Sequence, residues 1–207
     1  MTTEPRIVRS AVVLAGGRSR RFGPADKALA RIAGQPMVRR VVDALAVAAD
    51  EVIVNCRPRQ RPRIAAALDG DVRFAVDPPD RVDGGPVAGL QTGLAAARGP
   101  LVAVAACDMP RLSPALLDLL FVRATGGTGA APDCGTGPRP LPVVYRRAPA
   151  LAACETVGRG GSLRAVLDRL APARVPPEAV RGHAAPGALA DVNAPADLRN
   201  AASDVDP

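Results

Sequence analysis

The chain has 207 residues, enough for one domain with a sizeable core; 48% are hydrophobic, yet only Phe22, Phe74, Phe121 and Tyr145 are aromatic. A net charge of +7 points to anionic partners, but the shortage of rings to stack on bases argues against nucleic acid and for phosphate-bearing small molecules. No apolar run reaches the roughly 18 residues of a membrane span, and the start is polar through Pro5 with no secretory apolar segment, so a soluble, cytoplasmic protein is expected.

Short apolar runs alternate with amphipathic stretches along the chain, the pattern of strands and helices wound around a mostly parallel sheet. Residues 7–14 read as the first strand and 15–26 as a long glycine- and arginine-rich loop. Met37–Ala48 carries Met37, Val38, Val41, Val42 and Leu45 at helical spacing. Strands follow at 51–55 and 72–76, with a short helix at 63–68 between them. After the Pro/Gly-rich loop 77–85, a helix is predicted over 86–97, with Pro86 at its first position, where a missing N–H costs nothing.

Residues 101–106 are apolar throughout, as in a buried parallel strand. Ser113 and Pro114 then start a helix over 115–124. The later part is less regular: loops over 126–139 around a short strand near Ala130, a strand at 141–145, helices at 148–155 and 162–170, and a weakly patterned stretch over 174–188. No internal repeat or linker interrupts the chain, so 1–207 is expected to be a single domain. Cys56, Cys107, Cys134 and Cys154 form no CxxC pair and read as ordinary thiols, not as a zinc site or disulfides.

Chemistry concentrates in four places. The first is Leu14-Ala15-Gly16-Gly17-Arg18-Ser19-Arg20-Arg21-Phe22-Gly23 with Asp26-Lys27 after it. Glycines following a first parallel strand let backbone N–H groups approach phosphates, and the basic residues neutralise their charge. The spacing is neither that of a Walker A loop nor of the dinucleotide fingerprint. Of 27 basic residues, 26 are arginine; Lys27 is the only lysine. A compact ammonium on a flexible stem is a point-charge phosphate ligand that a planar guanidinium does not replace.

The second is Asp108, placed by the apolar run before it at the carboxyl end of a central strand, where open α/β sheets bind ligands. A lone carboxylate there suits Mg²⁺, which fills its shell with phosphate oxygens and water. The third is the small-residue loop Gly84-Gly85-Pro86-Val87-Ala88-Gly89-Leu90, which reads equally as a base or ribose contact and as a structural loop. The fourth is Asp191-Val192-Asn193, where Asn193 is either a ligand or a helix cap. His183, the only histidine, lies in an irregular segment and reads as a surface residue.

The segments LAGGRSRRFGPADKAL, GGPVAGL, ACDMPRLSPALLDLL, PVVYRR, SLRAVLDRL and DVNAPADL, in that order over residues 12–198, resemble those of the MobA-like nucleotidyltransferases. The resemblance implies a Rossmann-like three-layer α/β/α fold with a mostly parallel sheet, a nucleotide-binding half over about 7–125 and an acceptor-binding half over about 126–199. It further implies transfer of GMP from GTP to molybdopterin with Mg²⁺, and passing contact with molybdoenzymes or their chaperones. Leu14, Ala15, Gly16 and Gly17 are then expected at the guanine and ribose end of GTP, with Asn55, Asp77 and Gly89 as further nucleotide-binding positions. By the same resemblance Lys27, Arg21 and Gly23 match positions around the phosphates, Lys27, Arg21 and Asp108 are expected to carry the catalysis, and Asp108 is expected to hold the metal. Asp191 and Asn193 fall near the acceptor or the metal.

Two departures fall in the acceptor half: Pro142 stands where the family commonly has histidine, and 130–139 has a looser shape. An acceptor phosphate is already ionised near neutral pH, so the implied reaction needs no general base. The alternatives are a cytidylyltransferase on the same scaffold and a non-catalytic nucleotide-binding maturation partner. The joint presence of Lys27 and Asp108 counts against the latter.

Overall fold

The computed structural model describes residues 8–17, 26–68, 70, 72–194 and 196–198. Its centre is a seven-stranded sheet in the order β5-β4-β1-β6-β8-β7-β9. Strands β1 (Arg9–Leu14), β4 (Glu51–Cys56), β5 (Arg73–Val76) and β6 (Leu101–Ala106) run parallel. β8 (Val143–Arg146) lies antiparallel to β6, β7 (Gly129–Pro132) antiparallel to β8, and β9 (Ala173–Val175) parallel to β7.

The pleat sends alternate residues to opposite faces, and each face has its own core. Ala11 and Val13 of β1 and Val52 and Val54 of β4 pack under α1 (Met37–Ala48) and α4 (Pro114–Arg123). Val12 and Ile53 face the other way, against α3 (Pro86–Ala96), α5 (Arg147–Val157) and α6 (Leu163–Leu170). The result is three layers. The apolar residues that set the α1 periodicity, Met37, Val38, Val41, Val42 and Leu45, are all buried. The hydroxyls of Ser113 and Ser162 accept the Leu116 and Ala165 N–H groups and start α4 and α6.

The irregular parts depart from the reading of the sequence. A two-stranded hairpin, β2 (Arg31–Ile32) and β3 (Gln35–Pro36), turns through Ala33 at φ 46° and Gly34 at φ 78°. The short helix α2 sits at Arg61–Ala65, two residues earlier than the 63–68 expected. The weakly patterned stretch 174–188 holds most of β9 and all of α7 (Pro177–His183). No helix among the described residues is long and apolar enough to cross a membrane.

This topology makes a crevice. From β1 the chain moves to β4 on one side, continues to β5, and returns to β6 on the other side of β1. Leu14 is level with Asn55 on one flank and with Ala106 on the other, so β1, β4 and β6 end together. Ligands bind at the carboxyl ends of parallel strands at such a reversal.

Candidate active site

A cavity of about 750 Å³ opens at that edge, lined by the residues that follow β1, β4, β5 and β6 and by parts of the later loops. Ten of the residues expected in the site meet around it: Leu14, Ala15, Gly16, Gly17, Lys27, Asn55, Asp77, Gly89, Asp108 and Asn193. Asp191 is not among the lining residues, though the Asp108 and Lys27 charges act on it. Arg21 and Gly23 lie outside the described residues.

One wall is a buried amide–carboxylate pair. The Asn55 Nδ2 donates to Asp77 Oδ1 at 2.7 Å and to the Ala75 carbonyl at 3.0 Å. Both side chains are nearly solvent-free, at 1% and 6% exposure. Glycines make room for them. A Cβ on Gly89 would lie 2.5 Å from Asn55 Oδ1, and one on Gly16 would lie 3.3 Å from Asp77 Oδ2. The small-residue loop therefore serves the Asn55 side chain as well as the cavity.

The opposite wall carries the charge. Lys27 begins a 3₁₀ turn, Lys27–Leu29, that Asp26 caps by accepting the Ala28 N–H at 3.2 Å. From there its Nζ donates to Asp108 Oδ2 at 2.6 Å and to Asn193 Oδ1 at 3.2 Å. Asn193 thus meets the lysine with its side-chain oxygen, while Asp197 accepts the Asn193 and Ala194 N–H groups. The Val192 N–H donates to the Asp108 carbonyl, which fastens 191–193 to the turn after β6.

Asp191 pairs with Arg139 at 3.2 Å. Partial desolvation, and then the nearby Asp108 charge, hold its carboxyl above the usual range against the pull of Arg139 and Lys27. Burial and the Asp108 charge push the Cys107 thiol far up, away from the thiolate form.

Asp108 presents the feature a cation would answer. Its Oδ2 is taken by Lys27, while Oδ1 is buried with no hydrogen-bond partner. A bare, buried carboxylate oxygen is costly unless something positive meets it. Among the described residues no three His, Cys, Asp or Glu side chains gather in one place. The donor set therefore fits a hard ion that takes one or two carboxylates and completes its shell with phosphate oxygens and water, as Mg²⁺ does.

Several residues escaped the sequence reading. Arg57, nine-tenths buried at its side chain, pairs with Asp83 at 3.1 Å, and Asp83 stands at φ 64°. Gln60 donates to the Ala15 carbonyl and to Asp26, and Leu141 and Leu163 line the cavity. The Gly160 N–H donates to the Gly84 carbonyl at 2.9 Å, joining the loop before α6 to the loop before α3. No local pattern marks these positions, because each is defined by a partner distant in sequence. His183 is exposed on α7, as expected of a surface residue.

The sequence signature of the MobA-like NTP transferase domain matches residues 11–175. A probable molybdenum cofactor guanylyltransferase of Haloferax mediterranei is 43% identical over 194 residues, covering 92% of this chain and 91% of that protein. Among solved structures, a nucleotidyl transferase from Methanothermobacter thermautotroptrophicus superposes with a TM-score of 0.75 at 25% identity, covering 95% and 97% of the two chains. Molybdopterin-guanine dinucleotide biosynthesis protein A from Archaeoglobus fulgidus superposes with a TM-score of 0.74 at 23% identity, covering 94% and 97%.

Proposed function

Because the chain belongs to the MobA-like NTP transferase family, we propose that it is a molybdenum cofactor guanylyltransferase, moving GMP from GTP to Mo-molybdopterin and releasing pyrophosphate. The observation that carries this reading is the Lys27–Asp108 pair at the carboxyl edge of the sheet, 2.6 Å apart and beside the glycines that follow β1. Relatives covering nine-tenths of the chain and named for this activity supply the choice of base and acceptor.

The base and ribose lie against Leu14, Ala15, Gly16 and Gly17, with Asn55, Asp77 and Gly89 shaping that wall. Arg21 and Gly23 belong with the triphosphate by their place in the motif. A terminal phosphate oxygen of the acceptor attacks the α-phosphorus of GTP in line. The new O–P bond forms as the bond to the β-phosphate bridging oxygen breaks, and the electron pair leaves with pyrophosphate. The nucleophile is ionised beforehand, so no side chain has to remove a proton.

What the chain supplies is position and charge. Lys27 neutralises phosphate charge, and Asn193 and Asp108 aim its ammonium. Asp108 would hold Mg²⁺, with Asp191 near at hand; when bound, the ion supplies charge neutralisation on the phosphates. The nucleotide-binding half over about 7–125 contributes most of the cavity wall, and the acceptor-binding half over about 126–199 adds Leu141, Leu163 and Asn193. The test is pyrophosphate release from GTP and, separately, CTP, with Mg²⁺ and Mo-molybdopterin. Release with GTP alone is the expected result. Release with CTP alone moves the assignment to the cytidylyl branch, and silence with both refutes it.

A further inference from the structure

Gln60 sits in the turn between β4 and α2 and is 9% exposed. Three of the four hydrogen bonds its carboxamide can make are used, both donors among them. Its Oε1 accepts the Arg57 N–H at 3.1 Å. The two N–H bonds of its Nε2 reach the Ala15 carbonyl at 3.3 Å and Asp26 Oδ2 at 2.9 Å. The orientation of the amide follows from its neighbours: turned over, its oxygen would face a carbonyl and a carboxylate.

Ala15 and Asp26 flank the glycine- and arginine-rich segment on its two sides. Ala15 is also tied to β4, its N–H donating to the Asn55 carbonyl at 2.9 Å. Asp26 passes the constraint on, because its other oxygen, Oδ1, accepts the Ala28 N–H and caps the turn that begins at Lys27. A single side chain thus connects the end of β1, the cap of the Lys27 turn and the backbone just past Asn55. Lys27 in turn reaches Asp108.

From these contacts we infer that Gln60 is a positioning residue for nucleotide binding: it pins both flanks of the phosphate-binding segment and presets the turn that carries Lys27. It touches neither the nucleotide nor the metal and acts through Ala15 and Asp26. The inference rests on the nucleotidyltransferase reading given above. Without the clamp the two flanks sample other arrangements, and binding has to select the competent one, so apparent affinity falls by the fraction competent. Lys27 still reaches its partners once the nucleotide is seated. The loss therefore belongs in KM for the nucleotide and not in kcat.

The experiment compares full-length wild type with Gln60→Met, which keeps the length and loses every polar atom. It adds Gln60→Glu, which keeps the acceptor for the Arg57 N–H but loses both donors and turns a carboxylate toward Asp26. Asp26→Ala and the double variant Gln60→Met/Asp26→Ala complete a cycle. The dissociation constant of GTP is read by calorimetric titration, with KM and kcat for GTP and the melting temperature alongside.

Each Gln60 variant is expected to raise the GTP dissociation constant and KM at least about tenfold while kcat changes less than about threefold. The double variant should be little worse than the poorer single one, because both substitutions cut the same strap. Should Gln60→Met fail to fold, Gln60→Glu carries the same comparison. A folded variant with a lowered melting temperature but unchanged GTP affinity overturns the inference, as do penalties that multiply in the double variant. Wild-type protein that binds no GTP removes the functional reading itself, a result visible before any variant is made.

Discussion

Gly89→Ala is a one-carbon perturbation whose consequence can be worked from the structure. Gly89 lies on α3 with its Cα against β4, and an added Cβ would meet Asn55 Oδ1 at 2.5 Å and Cγ at 3.4 Å. Helix and strand backbone both have to stay where the sheet holds them, so Asn55 must give way. It has little room, being 1% exposed and bonded to Ala75 and Asp77. Overpacking costs about 1–3 kcal/mol, and a displaced buried amide about 1–3 kcal/mol more, offset by about 1 kcal/mol for replacing a helical glycine with alanine. The variant should lose about 1–5 kcal/mol of stability by these terms and bind GTP at least about tenfold more weakly, since the wall built on Asn55 and Asp77 shifts.

Gly93→Ala is the control, one helical turn further along α3. Its Cβ would meet Val12 Cγ1 at 2.5 Å, a purely apolar clash on β1 away from Asn55. It should cost about 0–2 kcal/mol and leave KM for GTP within about twofold of wild type. Denaturant melts and steady-state KM values for the pair decide the matter. Folded Gly89→Ala with an unchanged KM would refute the part assigned to Asn55, and an equal KM rise in both variants would trace the effect to a shift of α3 as a whole.

Other outcomes follow from single sites. Asp108→Ala and Lys27→Ala should each lower kcat/KM for GTP at least about a hundredfold with the fold intact, and near-normal rates from folded protein would remove the pair from the chemistry. Glu51 is partly buried, which raises its pKa, but the Ser10 hydroxyl, the Arg98 N–H and the Arg73 guanidinium at 2.6–2.7 Å outweigh this and hold the carboxyl below the usual range. A depressed folded value stabilises above the unfolded pKa of about 4.3 and the benefit disappears as pH falls through the folded value. Glu51→Gln should therefore lose about 1–3 kcal/mol near neutrality, with the gap to wild type closing in acid; urea melts at the two pH values check this. The Tyr145 hydroxyl is buried without a hydrogen-bond partner, so Tyr145→Phe should melt at the same temperature or higher, gaining up to about 1 kcal/mol. A clear loss would show a partner after all. Burial pushes the Cys56 thiol up to about 11 and Cys154 to about 12, and Cys134 is the exposed one. A thiol reagent should titrate Cys134 alone in native protein and all four cysteines after unfolding.

Local pattern was enough for the elements with strong periodicity or punctuation. The five apolar positions of Met37–Ala48, the continuous Leu101–Ala106 run and the Ser113-Pro114 start each state their structure within a few residues, and the structure agrees. Composition and a place beside the glycine-rich loop singled out Lys27, because the chain uses arginine everywhere else. Asp108 was legible for a similar reason: an apolar strand that runs straight into an aspartate has to deliver it to the sheet edge. Apart from the chain-wide composition that marks Lys27, these signals share one property: the cause of the structure lies within a turn or a strand of its effect.

The tertiary structure decided what depends on separation. Lys27 meets Asp108 across 81 residues and Asn193 across 166, and Gln60 meets Ala15 across 45. No period in the chain encodes those meetings; the strand order β5-β4-β1-β6 does, by ending β1, β4 and β6 at one level. Gly89 could be read equally as a ligand contact or as a loop glycine until Asn55 was seen filling the space a Cβ would take. Likewise β9 has three residues and β2 and β3 two each, too short to show an alternation, and they form because a neighbouring strand or turn supplies the missing hydrogen bonds. Short-range chemistry can be read from the chain, whereas a contact between distant residues exists only once packing has lowered the entropy of bringing them together.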